Sequence, residues 1–133
     1  MCVVSRMKLA IIGSRSIEDD AWTLKAVDKA VQQLNPTCIL MGAARGPDNA
    51  VSHYAESHDI DLIKFLPYHL LDPIANFDSK HFFIRTKQII NNADHLLALW
   101  DTKSNGTQYA IRYAQKMKIP VKVIKIPLIK HKE

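Results

Sequence analysis

Apolar and polar positions along this chain follow two alternating periods. Five short apolar runs read as strands: KLAII (8–12), CILM (38–41), LIKFL (62–66), HLLALW (95–100) and VKVIKI (121–126). Gly13 ends the first and Gly42 the second. Between them the spacing becomes helical. From Asp19 to Leu34 the apolar residues Leu24, Val27, Val31 and Leu34 recur at intervals of three and four, which predicts one apolar helix face. Glu18, Asp19 and Asp20 put negative charge in its first turn, where the helix dipole favours it, and Asn35-Pro36 ends it. Pro47 and Asp48 open a second helix reaching about residue 58, with proline at a tolerated first-turn position. Residues 67–76, with Pro67 and Pro73, read as a loop. A third helix runs from about Asp78 to Asn91, with Phe82/Ile89 and Phe83/Ile90 each seven apart. A fourth opens at Gly106-Thr107 and runs to about Met117, before Pro120.

Strand and helix in strict alternation predict right-handed crossovers and a parallel sheet covered on both faces. The strands are apolar throughout rather than alternating, as doubly covered strands are. The predicted fold is therefore α/β, a Rossmann-like three-layer sandwich with a five-stranded, mainly parallel sheet. It occupies residues 8–126 as a single domain, with 1–7 as an N-terminal extension and 127–133 as a basic tail. Composition agrees: 133 residues, 47% hydrophobic and 23% charged, describe one globular domain. A chain of this size buries roughly two thirds of its unfolded surface and needs no disulfide or structural metal. Its longest apolar runs, about five residues, are too short to span a membrane, and MCVVSRM lacks the apolar core of a secretory signal. No membrane association and a cytoplasmic location are the expectations.

Charge changes the picture less than its total suggests. The formal net charge is +5, but residues 118–133 carry five lysines against Glu133, which leaves 1–117 at +1. With no helix-turn-helix pattern and no aromatic-interleaved basic segment, this distribution argues against nucleic acid as a partner. Cys2 and Cys38 form no CxxC pair, and the six histidines show no HExxH, so no metal and no cofactor are expected.

The four glycines point to the chemistry. Gly13, Gly42, Gly46 and Gly106 all follow a strand and precede a helix. In an open α/β sheet that edge takes ligands, where strand order reverses. Glycine lets backbone approach a ligand closely, and helix N-termini present N–H groups to anions. Polar neighbours fit: Ser14 and Arg15 after Gly13, Ala43 and Arg45 between Gly42 and Gly46, and Ser104, Asn105 and Thr107 around Gly106. Arg15 and Arg45 suit phosphate, since a guanidinium can fork onto two oxygens. Asp48 either caps its helix or accepts from a ribose hydroxyl.

The segments IIGSRS (11–16), MGAARGPDNAVSHYA (41–55), IRTKQIINNAD (84–94) and LALWDTKSNGTQYAI (97–111) resemble the SLOG superfamily (Smf/DprA and LOG), most closely its small YpsA-related members. The second segment is the most specific, since those members carry a similar Gly-Gly-Ala-Arg-Gly-x-Asp run after strand two. The resemblance implies a Rossmann-like fold that binds nucleotides or nucleotide-derived ligands at the glycine-bearing edge. One branch, the Lonely Guy enzymes, cleaves the N-glycosidic bond of cytokinin nucleoside monophosphates. Its motif is Arg-Lys-x-x-Met followed by Pro-Gly-Gly-x-Gly-Thr-x-x-Glu. Arg85 matches the arginine, while Thr86 and Ile89 replace the lysine and methionine. Gly106-Thr107 match, preceded by Trp100–Asn105 with two extra residues, and the glutamate falls on Ala110. Glycosidic cleavage passes through an oxocarbenium-like state that a carboxylate stabilises, and alanine cannot do this. The similar nucleoside deoxyribosyltransferases meet the same objection.

The expected function is binding of a nucleotide or ADP-ribose-like small molecule, as a sensor or carrier, with Arg15, Arg45 and Arg85 neutralising its charge. The alternative is a LOG-like nucleotide N-glycosidic hydrolase with a substitute carboxylate, for which Asp101 is the weak catalytic candidate. The third helix has more than one apolar face, which predicts a homo-oligomer formed through it.

Overall fold

Each predicted apolar run becomes a strand, and each amphipathic stretch becomes a helix. The structure, a computed structural model, describes residues 7–14, 16–17, 20–42, 48–65 and 79–126, apart from the side chains of 20, 48, 49 and 79–82. In chain order the elements are β1 (Lys8–Gly13), α1 (Asp20–Leu34), β2 (Cys38–Gly42), α2 (Asp48–Ser57), β3 (Asp61–Phe65), α3 (Ser79–Asn91), β4 (His95–Trp100), α4 (Asn105–Lys116) and β5 (Val121–Lys125). The five strands form one sheet in the order β3-β2-β1-β4-β5. Every pairing is parallel, with Gly13 beside Leu99 and Gly42 beside Phe65 at the C-terminal ends.

Side chains alternate across the sheet and build two cores. Leu9, Ile11, Ile39, Met41, Leu97 and Leu99 face α1 and α2, where they meet Val27, Ala30, Val51 and Ala55. Ala10, Leu40, Leu96 and Ala98 face α3 and α4, where they meet Ile89, Ile90, Ala110, Ile111 and Ala114. Alanines on both sides of this second interface let the helices lie close to the strands. Burial on both faces holds for β1, β2 and β4. The edge strand β3 instead exposes Asp61, Ile63 and Lys64.

Helix α1 departs from its predicted face. Leu24 is 37% exposed, whereas Thr23, Ala26, Val27 and Ala30 are buried. The small residues Ala26 and Ala30 turn toward the sheet, which rotates the centre of the face away from Leu24. The helix ends at Asn35, whose φ of 51° and N–H bond to the Val31 carbonyl at 2.7 Å make a left-handed cap. Helix α3 buries Ile89 and Ile90 and leaves Ile84 exposed. No helix among the described residues is long and apolar enough to cross a membrane. The predicted loop at 67–76, residues 1–6 and the tail at 127–133 lie outside the described residues.

Candidate functional site

Strand order reverses between β1 and β4. The chain leaving β1 turns to α1 on one face and the chain leaving β4 turns to α4 on the other, so the two loops part at the C-terminal edge. Ser14 is 1% exposed, and its amide donates to the Leu99 carbonyl at 2.9 Å, extending the ladder one residue past β1. Its Oγ accepts the Asp101 amide at 3.1 Å and lies 3.1 Å from Thr107 Oγ1. Thr107, also buried, sits in the first turn of α4. Ser104 caps that helix, its Oγ accepting the Thr107 amide at 3.5 Å. Trp100 Nε1 donates to the Ser104 carbonyl at 3.0 Å and anchors the loop from the strand side. Asn105 and Gly106 occupy the first two positions of the helix. No residue of this turn is acidic, so its amide dipoles face no carboxylate of their own helix.

Asp101 holds the two loops together. Its Oδ1 accepts the amides of Lys103 at 2.9 Å and Ser104 at 2.7 Å, and its Oδ2 accepts the Ser16 hydroxyl. Burial pushes its pKa up, but the Ser16 hydroxyl, the two amides and the Ser14 hydroxyl outweigh this, and the carboxyl titrates below its ordinary value. Both oxygens are therefore engaged by the fold.

Thr102 has a φ of 71°. That left-handed conformation strains a β-branched residue. Thr102→Gly is expected to stabilise the protein by about 1 kcal/mol, since relief of about 1–3 kcal/mol of strain exceeds the roughly 0.5–1 kcal/mol that glycine's entropy costs. A urea midpoint that rises for the variant is the predicted result, and an unchanged or lower midpoint counts against strain at this loop.

A second arm of the edge lies at the end of β2. Arg85, carried by α3, is 6% exposed. A Cβ built on Gly42 would lie 2.7 Å from Arg85 Cζ and 2.8 Å from Nη1. A side chain at position 42 would therefore have to displace the guanidinium, which packs where its Cβ would lie.

The structure therefore brings Gly13, Ser14, Asp101, Ser104, Asn105, Gly106 and Thr107 together at the β1–β4 crevice, and Gly42 with Arg85 at the end of β2. Arg15, Ala43, Arg45, Gly46 and the Asp48 side chain lie outside the described residues. Ser16 was not singled out by sequence reasoning; its partner Asp101 is 85 positions away, and no local pattern links them. Ala110, where the resemblance would place a glutamate, is fully buried against the sheet. Among the described residues no group of three or more His, Cys, Asp or Glu could hold a metal ion. At the opposite, N-terminal edge a cleft of about 140 Å³ is lined by Leu34, His95, Leu97, Pro120 and Lys122.

Residues 7–69 match the family described as YAcAr: YspA, cpYpsA-related SLOG family. No curated protein matches the chain. Among solved structures, the chain is similar to DNA processing protein A from Helicobacter pylori, described for its single-stranded DNA binding mode. The TM-score is 0.69 at 22% identity, over 93% of this chain and 67% of that one.

The expectation that sets nucleic acid aside does not hold. The fold is shared with a protein described as binding single-stranded DNA. A charge count along the chain also averages two unlike layers. Helices α1 and α2 carry four acidic and two basic residues. Helices α3 and α4 carry five basic residues and no acidic one. The positive charge is thus concentrated on one layer of the body and is not confined to the tail.

Proposed function

We propose that this chain, whose residues 7–69 match the YspA, cpYpsA-related SLOG family, binds a nucleotide or nucleotide-derived ligand by its phosphate at the C-terminal edge of the sheet. The observation that carries this reading is the N-terminus of α4 at the strand-order reversal, where Asn105 is exposed and Gly106 half-buried while the buried Ser14 and Thr107 hydroxyls, 3.1 Å apart, brace the turn from beneath. Amides at a helix N-terminus are donors that phosphate oxygens take, and the dipole adds partial positive charge. The Arg85 guanidinium, one strand beyond at Gly42, supplies a full charge within the same edge. An ADP-ribose-like ligand, with two phosphates, suits an edge with two such arms.

Binding rather than bond breaking fits the carboxylates of this edge. Glycosidic hydrolysis needs a carboxylate able to face the ribose. Asp101 is committed to three donors, and Ala110 has no acid to offer.

The phosphate can belong to a small nucleotide or to the end of a nucleic acid strand, and thermal shift separates the two. AMP, ADP and ADP-ribose are expected to raise the Tm saturably, while adenosine leaves it unchanged. A shift produced by 5′-phosphorylated oligonucleotides and by none of the mononucleotides assigns the site to strand ends. No shift with any phosphorylated compound sinks the proposal.

A further inference from the structure

The outer surface of α3 and α4 carries features that the edge site does not use. Phe83 and Lys87 on α3 face Tyr109 and Tyr113 on α4 along the seam between the helices. Phe83 and Tyr109 have ring centroids 4.6 Å apart. Tyr109 and Tyr113 are near-parallel, 10° between planes and 6.2 Å between centroids. Lys87 Nζ lies 5.8 Å above the Tyr113 ring, and the Tyr113 hydroxyl donates to Asn91 Oδ1 at 2.7 Å, so the Tyr113 end of the row is braced twice. All three rings are half-buried, and Lys87, Arg112 and Lys116 are exposed. The row begins two residues beyond Thr107, so it is continuous with the C-terminal edge. These two helices contain five basic residues and no acidic one.

We infer that this seam is a docking surface for a single-stranded nucleic acid, whose bases stack on Tyr109 and Tyr113 while Lys87, Arg112 and Lys116 follow the phosphates. The inference stands on the seam alone and does not depend on the edge site being a nucleotide site. Rows of rings flanked by cations hold single strands because every base has a π-face and every linkage a negative charge. A duplex hides its base faces. An acidic peptide would satisfy the lysines but leave the rings without planar partners. A second copy meeting this face with its own identical face would set Lys87, Arg112 and Lys116 against the same three cations.

Fluorescence anisotropy of labelled oligo-dT with a 5′-hydroxyl, titrated with the full chain at low salt, tests this. Binding should weaken steeply with added salt, and Lys87→Gln should lower the slope of log affinity against log salt by about 0.7. Tyr109→Leu and Tyr113→Leu should each weaken binding about tenfold. Tyr109→Phe and Tyr113→Phe, which keep the ring, should bind as the unaltered chain does, and this guards against a variant that loses its fold. The AMP response of the thermal-shift experiment should be unchanged in all four, so failure here and failure of the edge site are read separately. No binding of oligo-dT overturns the proposal. So does polyglutamate or an anionic vesicle that binds as tightly as oligo-dT, or leucine variants that bind oligo-dT as tightly as their phenylalanine counterparts.

Discussion

Replacing Asp101 by alanine is expected to cost on the order of 3 kcal/mol of stability, because a buried charged acceptor is removed from several donors at once. The Lys103 and Ser104 amides and the Ser16 hydroxyl lose their partner together. The Ser104 amide belongs to the residue that caps α4, so the helix start and the β1–β4 crevice loosen together. Urea unfolding followed by circular dichroism measures the effect as a lower midpoint. The carboxylate also predicts a pH signature. Its folded pKa is depressed, so its contribution is fully present above the unfolded aspartate value of about 3.9 and is lost as pH falls through the lower folded value. Asp101→Asn keeps an acceptor for the amides but no longer titrates. Its deficit relative to the unaltered chain should be largest near neutral pH and shrink toward pH of about 2. Parallel stability curves for the two proteins over that range would show that Asp101 is not held in its charged form by this network.

Gly42→Ala should destabilise the chain by about 1–2 kcal/mol and weaken phosphate-ligand binding about 10- to 100-fold. Two opposing effects set the first figure. Alanine restricts the unfolded chain and gains about 0.4–1 kcal/mol, whereas crowding a packed site costs about 1–3 kcal/mol. Crowding wins because the new Cβ meets the guanidinium at 2.7 Å and Arg85, at 6% exposure, has little room to retreat. The second figure is the loss of a charged hydrogen bond, about 1.5–3 kcal/mol, converted at 1.4 kcal/mol per tenfold. A double-mutant cycle with Arg85→Ala isolates the contact. With the guanidinium gone, the added methyl finds space, and the double variant should be more stable than the two single losses summed. Additive losses would place the cost of Gly42→Ala elsewhere.

These effects show which parts of the molecule are legible in a sequence. Strands such as HLLALW and helices such as Asp20–Leu34 follow from short-range periodicity, and the alternation of the two dictates a parallel sheet. The placement of Gly13, Ser14, Gly106 and Thr107 on one edge follows from that topology, since every strand-to-helix loop of a parallel sheet lies there. Contacts across the fold were not legible. Nothing near Gly42 announces that its space belongs to a guanidinium 43 positions away. Asp101 reads locally as a loop carboxylate fit for chemistry, and it is the Ser16 hydroxyl, brought over from the other loop, that helps commit it to structure. Leu24 misled because a helix face is centred by what packs closest, here Ala26 and Ala30, rather than by its largest residues. The charge count misled for a similar reason: acidic α1 and α2 precede basic α3 and α4 in the chain, but the two pairs cover opposite faces of the sheet.

Amide chemical shifts during titration with AMP and ADP-ribose probe the edge site residue by residue. Saturable changes should concentrate at Ser14, Asp101, Ser104, Gly106 and Thr107, with adenosine producing none of them. Changes that instead gather at the opposite cleft around Leu34, His95 and Lys122, or that adenosine reproduces in full, would contradict a phosphate site where β1 and β4 part.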